Sequence, residues 1–355
     1  MERTANIHMS TWRAEKASRA REHSVRTFSG VVLGLAVLSA AFASWLPLQV
    51  SVVTVFLFAG PHNWFELRYF LMRLPVRFGK SRNFFITAFA GIAFLTLAYV
   101  SLPMWYSFGV VPEGSWPTIL ATWNTFLLLW LASLVWLRAK NKTRRNWAWA
   151  PWTFPAALAL CSLNWLAPEF FSLAIVYVHP LVALWFLDRH LARTRPEWLR
   201  VYRFCLCVLP LLLLAMFWQL TRTPALADDN GLFWRITQHA GAQLLPNVSS
   251  RVLVATHVFL EMLHYGVWLL ALPLIAPPRK TQQRRNRIWN VRSVPVARHP
   301  RGFPKLVAST LALGVFLVVV LWFGFSLDYT TTRDVYFTLA IAHVLAEAPF
   351  MLRML

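Results

Sequence analysis

Apolar runs separated by charged, polar or proline-bearing breaks divide the chain into ten segments, at about 27–45, 47–67, 84–102, 117–137, 149–165, 168–187, 204–220, 251–276, 306–327 and 334–352. A helix needs about 20 apolar residues to cross a bilayer, and most of these runs are close to that length. The pattern predicts an all-α protein, a polytopic integral membrane helical bundle of about ten transmembrane helices. Residues 27–355 form one transmembrane domain in this reading, and residues 1–26 a basic segment on the cytoplasmic side. That segment has no short apolar core of the kind a cleaved signal carries, so the first span is expected to be retained. Between spans seven and eight, the 235–248 stretch reads as a short interfacial helix.

The breaks carry their charge in alternation. Arg13, Lys16, Arg19, Arg21 and Arg26 precede span one, and Arg68, Arg73, Arg77, Lys80 and Arg82 follow span two. Arg138, Lys140, Lys142, Arg144 and Arg145 follow span four, Arg189 to Arg203 follow span six, and the run from Arg279 to Lys305 follows span eight. The intervening loops are poor in cations: 103–116 has none, and 221–235 has Arg222 and Arg235 beside Asp228 and Asp229. Basic loops stay on the cytoplasmic face. Ten spans put every basic loop, and both termini, on that face, as expected for a bacterial inner-membrane protein.

Composition agrees. Charged residues make up 14% of the chain and hydrophobic residues 57%, with a mean hydropathy of +0.49, against about 25% charged in a soluble domain. The net charge of +21 sits in the loops. It therefore predicts attraction to anionic lipid head groups, and nucleic acid is not expected as a partner. Cys161, Cys205 and Cys207 fall in apolar segments and read as packing residues. The 19 tryptophans and 27 phenylalanines cluster at span ends, where interfacial aromatic belts form, so they point to no ligand by themselves.

The candidate chemistry lies inside the spans. Six of the glutamates sit in termini, loops or span edges. The other three, Glu66, Glu261 and Glu347, each have a histidine four positions earlier: His62, His257 and His343. Residues i and i+4 share a helical face. His264 extends the face of His257 and Glu261, and His179 lies inside span six. At 1.5 Å per residue, counted from the non-cytoplasmic end, His62, His179, His264 and His343 fall within roughly 10 Å of one another in depth; His257 is shallower. Burying such groups in hydrocarbon is costly unless they are paired. Neutral imidazole binds iron, copper and zinc, and a carboxylate completes the coordination or orients the ring. The spacing predicts a metal centre drawn from His62, Glu66, His179, His257, Glu261, His264, His343 and Glu347. A transition metal is expected, iron in its ferrous form first, with zinc or a two-metal centre as the other options. The competing structural reading is a set of His–Glu hydrogen bonds joining helices. His190, in Asp188-Arg189-His190, reads as part of an interfacial charge cluster, and His239 reads as a solvated loop residue.

At Phe58-Ala59-Gly60-Pro61-His62-Asn63-Trp64-Phe65-Glu66, with His257-x-x-x-Glu261-x-x-His264, the chain distantly resembles the Brp/Blh-type membrane β-carotene dioxygenases. The resemblance covers two short motifs. It departs from the family at Asn63 and Trp64, where small residues are usual, at Glu66 in place of an aspartate, and in the number of spans. It implies an intramembrane iron held by histidines, with His62, His179, His264 and His343 as the positions to carry it. Membrane-desaturase histidine boxes, a P-loop, a Gly-x-Ser-x-Gly elbow and Cys-x-x-Cys do not occur. The sequence thus predicts a metal-dependent oxygenase for a hydrophobic small molecule such as a carotenoid, another isoprenoid or an acyl chain. The alternative is a proton- or cation-coupled transporter that uses the same His/Glu faces.

Overall fold

The computed structural model describes residues 2–110, 112, 114–140, 150–227, 231–275, 290–300 and 302–355, with side chains from residue 24 onward except 107 and 274. Lys142, Arg144, Arg145, Asp228, Asp229 and, within the Arg279–Lys305 run, residues 279–289 and 301 lie outside the described residues. The chain is helical, with no strand among the described residues. In order the helices are α1 (Glu2–Trp45), α2 (Pro47–Arg73), α3 (Arg82–Ser107), α4 (Trp116–Lys140), α5 (Thr153–Leu166), α6 (Pro168–Thr194), α7 (Pro196–Leu220), α8 (Gly231–His239), α9 (Ser250–Gly266), α10 (Leu272–Ile275), α11 (Pro295–Arg298), α12 (Pro304–Leu327) and α13 (Tyr329–Met354). A π turn, Val267–Ala271, joins α9 to α10 without a break.

Eight of these helices are long and apolar enough to cross a membrane, so the chain is an integral membrane helical bundle. The two remaining expected spans depart from the simple pattern. α2 has the length, but His62, Asn63 and Glu66 lower its apolarity. α5 has 14 residues, about 21 Å of helix against a hydrocarbon core of about 30 Å, so it is shorter than the span expected at 149–165. Buried asparagines tie it to its neighbour: Asn124 Nδ2 of α4 donates to Asn164 Oδ1 of α5 at 2.8 Å, and Asn164 Nδ2 donates to the Ala121 carbonyl at 2.8 Å. The basic N-terminal segment is not separate from span one, because α1 runs through both.

The axis of the bundle is α9. Of its membrane window 83% is buried, against 17–50% for the other seven. Outside the face that carries His257, Glu261 and His264 its sequence is apolar, which suits a helix enclosed by others rather than by lipid. α1, α2, α6 and α7 pack around it, and α13 packs against α2 and α6. The helices α9, α2, α13 and α6 therefore close a ring. α1 comes close to α9 at Gly266, where any Cβ would meet Leu35 Cδ2 at 2.2 Å.

Tryptophan does more here than mark interfaces. Trp64 donates to the Leu311 carbonyl at 3.1 Å and Trp322 to the Phe56 carbonyl at 3.0 Å, fastening α2 to α12 in both directions. Trp123 donates to Leu95 at 3.0 Å and Trp130 to Thr87 at 2.9 Å, fastening α4 to α3. An indole N–H in lipid has no water to turn to, so a backbone carbonyl on the next helix is its natural acceptor.

All four ring helices are irregular near one level. Pro61 lies inside α2, Pro180 inside α6 and Pro349 inside α13, while α9 passes into its π turn after Gly266. Proline removes one helical hydrogen bond and bends the helix, and π turns recur at functional sites. Each irregularity stands within three residues of a buried histidine or glutamate.

Candidate metal centre

The face periodicity and the shared depth bring six of the eight anticipated residues together. α2 supplies His62 and Glu66, α6 His179, α9 His264, and α13 His343 and Glu347. Ring centroids lie 5.2 Å apart for His62–His264, 5.4 Å for His62–His343, 4.6 Å for His179–His264 and 4.9 Å for His179–His343. Two ligand sets result. One is His62, Glu66, His264 and His343; the other is His179, His264 and Glu347. Within each set the donor atoms lie within 4.8 Å of one another, and His264 belongs to both.

Local hydrogen bonds orient two of the rings. His62 Nδ1 lies 2.9 Å from the Phe58 carbonyl one turn back. It carries the hydrogen there, leaving Nε2 as the free lone pair. His179 Nδ1 donates to Glu347 Oε2 at 2.9 Å, so its Nε2 is likewise a lone pair, and His343 Nε2 stands 3.1 Å from it. A carboxylate behind an imidazole raises its basicity and fixes its tautomer, the usual second layer of a metal site. Other polar atoms are buried with no hydrogen-bond partner: both oxygens of Glu66, both nitrogens of His264, Nδ1 of His343 and Oε1 of Glu347. Helix-joining hydrogen bonds account for the His179–Glu347 pair but not for these. A cation held among them would satisfy them together, so the residues present fit a metal.

His257 and Glu261 stand apart from the six. They form an i,i+4 pair, Nδ1 to Oε2 at 3.7 Å, one layer nearer the α8 side of the bundle. The His257 ring packs against His239 at 5.1 Å and Tyr177 at 5.9 Å. His239, expected to be a solvated loop residue, instead ends α8 with its ring stacked on Phe337 at 4.4 Å. The stretch expected to be interfacial does begin as a helix, α8, but it folds inward as a cover over the site. Arg333 completes this layer, buried at 3% exposure with its guanidinium 4.6 Å over the Phe337 ring.

A cavity of about 630 Å³ connects the two layers, lined by His62, His179, His264 and His343 at one end and by Trp234, Arg235 and Asp334 at the other. Arg235 and Asp334 form an ion pair across its mouth. The opposite end is closed. Phe70 stacks on Phe350 at 4.3 Å, with Trp268 and Phe186 packed beside them. His190 belongs to the layer beyond that plug, Nδ1 facing Arg73 Nη2 at 2.8 Å, and Asp188 there receives both arms of Arg203 at 2.8 and 3.2 Å. These are the interfacial charges that the sequence suggests. Against protein-family models, curated proteins and solved structures alike, the chain finds no match.

Proposed function

We propose that this protein is a membrane-embedded, metal-dependent oxygenase acting on a lipid-soluble substrate, with both termini on the cytoplasmic face of a bacterial inner membrane. His62, His179, His264 and His343 would hold the metal, ferrous iron in the preferred form. Glu66 and Glu347 would serve as further ligands or as orienting partners. The observation that carries this reading is the set of unpartnered donor atoms on Glu66, His264, His343 and Glu347, gathered at one level from three helices, with His179 of a fourth beside them. The 3.1 Å between His179 Nε2 and His343 Nε2 is also about what two adjacent nitrogen ligands at roughly 2.1 Å from one ion require. When bound, such a metal supplies dioxygen activation at an open coordination position. The chain's own part is to orient His62 through Phe58 and His179 through Glu347, to offset positive charge with two carboxylates, and to exclude water.

The transporter alternative shares these residues but needs a route to both faces. Aromatic packing of Phe70, Phe350, Phe186 and Trp268 stands between the donor cluster and the charged layer of His190 and Asp188, and transit would require that packing to open. Metal analysis of gently purified protein, followed by dioxygen uptake with membrane-lipid extract and with β-carotene, tests the proposal. Near-stoichiometric iron and lipid-stimulated uptake are expected. Less than about 0.2 equivalents of any transition metal, given the several-kcal/mol demand of the unpaired groups, would refute it, and flux driven by a pH gradient in proteoliposomes would favour the transporter.

A further inference from the structure

Among the described residues Arg333 is the one buried Lys or Arg side chain, and the metal centre does not explain it. It lies in the second turn of α13, 3% exposed. Its guanidinium makes no hydrogen bond to any described residue, and none stands within ion-pair distance of it. Its neighbour Asp334 is taken by Arg235. The Phe337 ring lies against it, and Glu261, Tyr265 and Tyr329 face it from beyond hydrogen-bond distance. A guanidinium has five N–H donors in a planar fork that matches a carboxylate or phosphate, and leaving it buried and unpaired is costly. Its Nε is wholly enclosed, and the residue lines the same cavity as the histidine cluster.

A second cavity of about 540 Å³ adjoins the first, sharing Tyr99, Ile175, Val176, Gln238, His239 and Ile341 with it. Its other walls include Trp116, Leu120, Trp123 and Leu173. One chamber thus holds Arg333, without a hydrogen-bond partner, and the donor cluster; its neighbour has mainly aromatic and aliphatic walls, interrupted by Glu169, Ser172 and Gln243. A small inorganic anion would leave the second chamber unused, and a neutral hydrocarbon would leave Arg333 unpaired. We propose that the paired chambers take an anionic amphiphile: Arg333 binds its carboxylate or phosphate head group, and the apolar chamber takes its chain. Arg333 and His343 are ten residues apart on one helix, about 15 Å along its axis, which sets how far from the head group the chain meets the donor cluster. As a statement about substrate this rests on the oxygenase reading; as a statement about binding it rests on Arg333.

The test uses full-length protein in nanodiscs of uncharged lipid, with cis-parinaric acid and its methyl ester as fluorescent ligands. The acid should bind at least tenfold more tightly than the ester, and Arg333→Gln should erase that difference. Arg333→Lys should keep part of it, which guards against a glutamine variant that fails to fold. Dodecyl phosphate should displace the acid while inorganic phosphate does not, and the stronger competitor of dodecanoate and dodecyl phosphate identifies the preferred head group. Chelator-treated protein should keep the preference for the acid over the ester, so a failure of the metal proposal leaves this result standing and distinguishable. Equal binding of acid and ester by wild type overturns the proposal. So does displacement by inorganic phosphate, or unchanged preference in Arg333→Gln.

Discussion

His264→Leu separates a metal centre from a purely structural polar cluster, because the two readings give it opposite signs. Leucine fills much of the imidazole's space with apolar atoms and removes the one donor common to both ligand sets. Neither His264 nitrogen has a hydrogen-bond partner, and a buried unsatisfied polar atom costs about 1–3 kcal/mol. Two such atoms would sum to about 2–6 kcal/mol, and polar interactions within membranes are worth less than that scale implies, averaging about 0.6 kcal/mol. The metal-free protein should therefore gain about 1–3 kcal/mol in the variant. Metal affinity should fall by more than the 10–100-fold that loss of an outer partner already brings. Elemental analysis after purification without chelator reads the second quantity, and thermal unfolding in detergent with chelator reads the first. Full metal retention in His264→Leu would refute the reasoning. So would a metal-free variant destabilised by more than about 1 kcal/mol, the mark of a lost hydrogen bond.

Four further outcomes follow from the fold. A double-mutant cycle on Asn124→Ala and Asn164→Ala should give a coupling of about 0.6–1.7 kcal/mol, read from thermal unfolding; zero coupling would mean that the Asn124–Asn164 bond does not help to hold α5. Trp130→Phe should cost about 1 kcal/mol, and Gly91→Leu more, since a Cβ at Gly91 would lie 1.9 Å from Trp130 Nε1; the reverse order in urea titrations would contradict the clasp. Asp328 caps α13 by accepting from the Thr331 N–H at 3.1 Å, and hydrogen bonds from Thr331 hold its carboxyl below the usual range. Its contribution is complete above the unfolded value of about 3.9 and is lost as pH falls through the folded value, so Asp328→Asn should flatten the acid limb of stability below about pH 4. Reporter fusions at residues 110 and 230 should both read the face opposite the basic loops, and a cytoplasmic signal at either breaks the topology.

The helices and the cluster were legible to different degrees for physical reasons. His62, His179, His264 and His343 could be found because depth in a bilayer is a ruler. Helix rise converts sequence position into height, and groups at equal height in packed spans can meet. The same ruler set His257 apart as shallower, and it does sit in the next layer. Length alone could not show that Glu347 would face His179 from another helix rather than pair with His343 of its own. Arg333 lies just outside the run that marked the last span, and His239 lies in a stretch polar enough to read as loop. Arg333 is buried and His239 half-buried where α8 folds inward, which no periodicity encodes. The tryptophan clasps were hidden for a related reason: an indole at a span end looks alike whether it faces head groups or a carbonyl of the next helix. The central place of α9 was readable in principle from a polar face of His257, Glu261 and His264 set within an otherwise apolar helix.

That central place bears on how the protein is made. α9 begins at residue 250, after the helices α1, α2, α6 and α7 that surround it. Its partner in the donor cluster, α13, comes last. Between His62 and His343 the ribosome adds 281 residues, on the order of 14–56 s at usual rates of synthesis. For that time the early helices have no axis to pack on, and their inward polar faces must be sheltered by lipid, by one another or by the insertion machinery. Both ligand sets need a residue of α13, so an ion bound there would join helices made far apart in time.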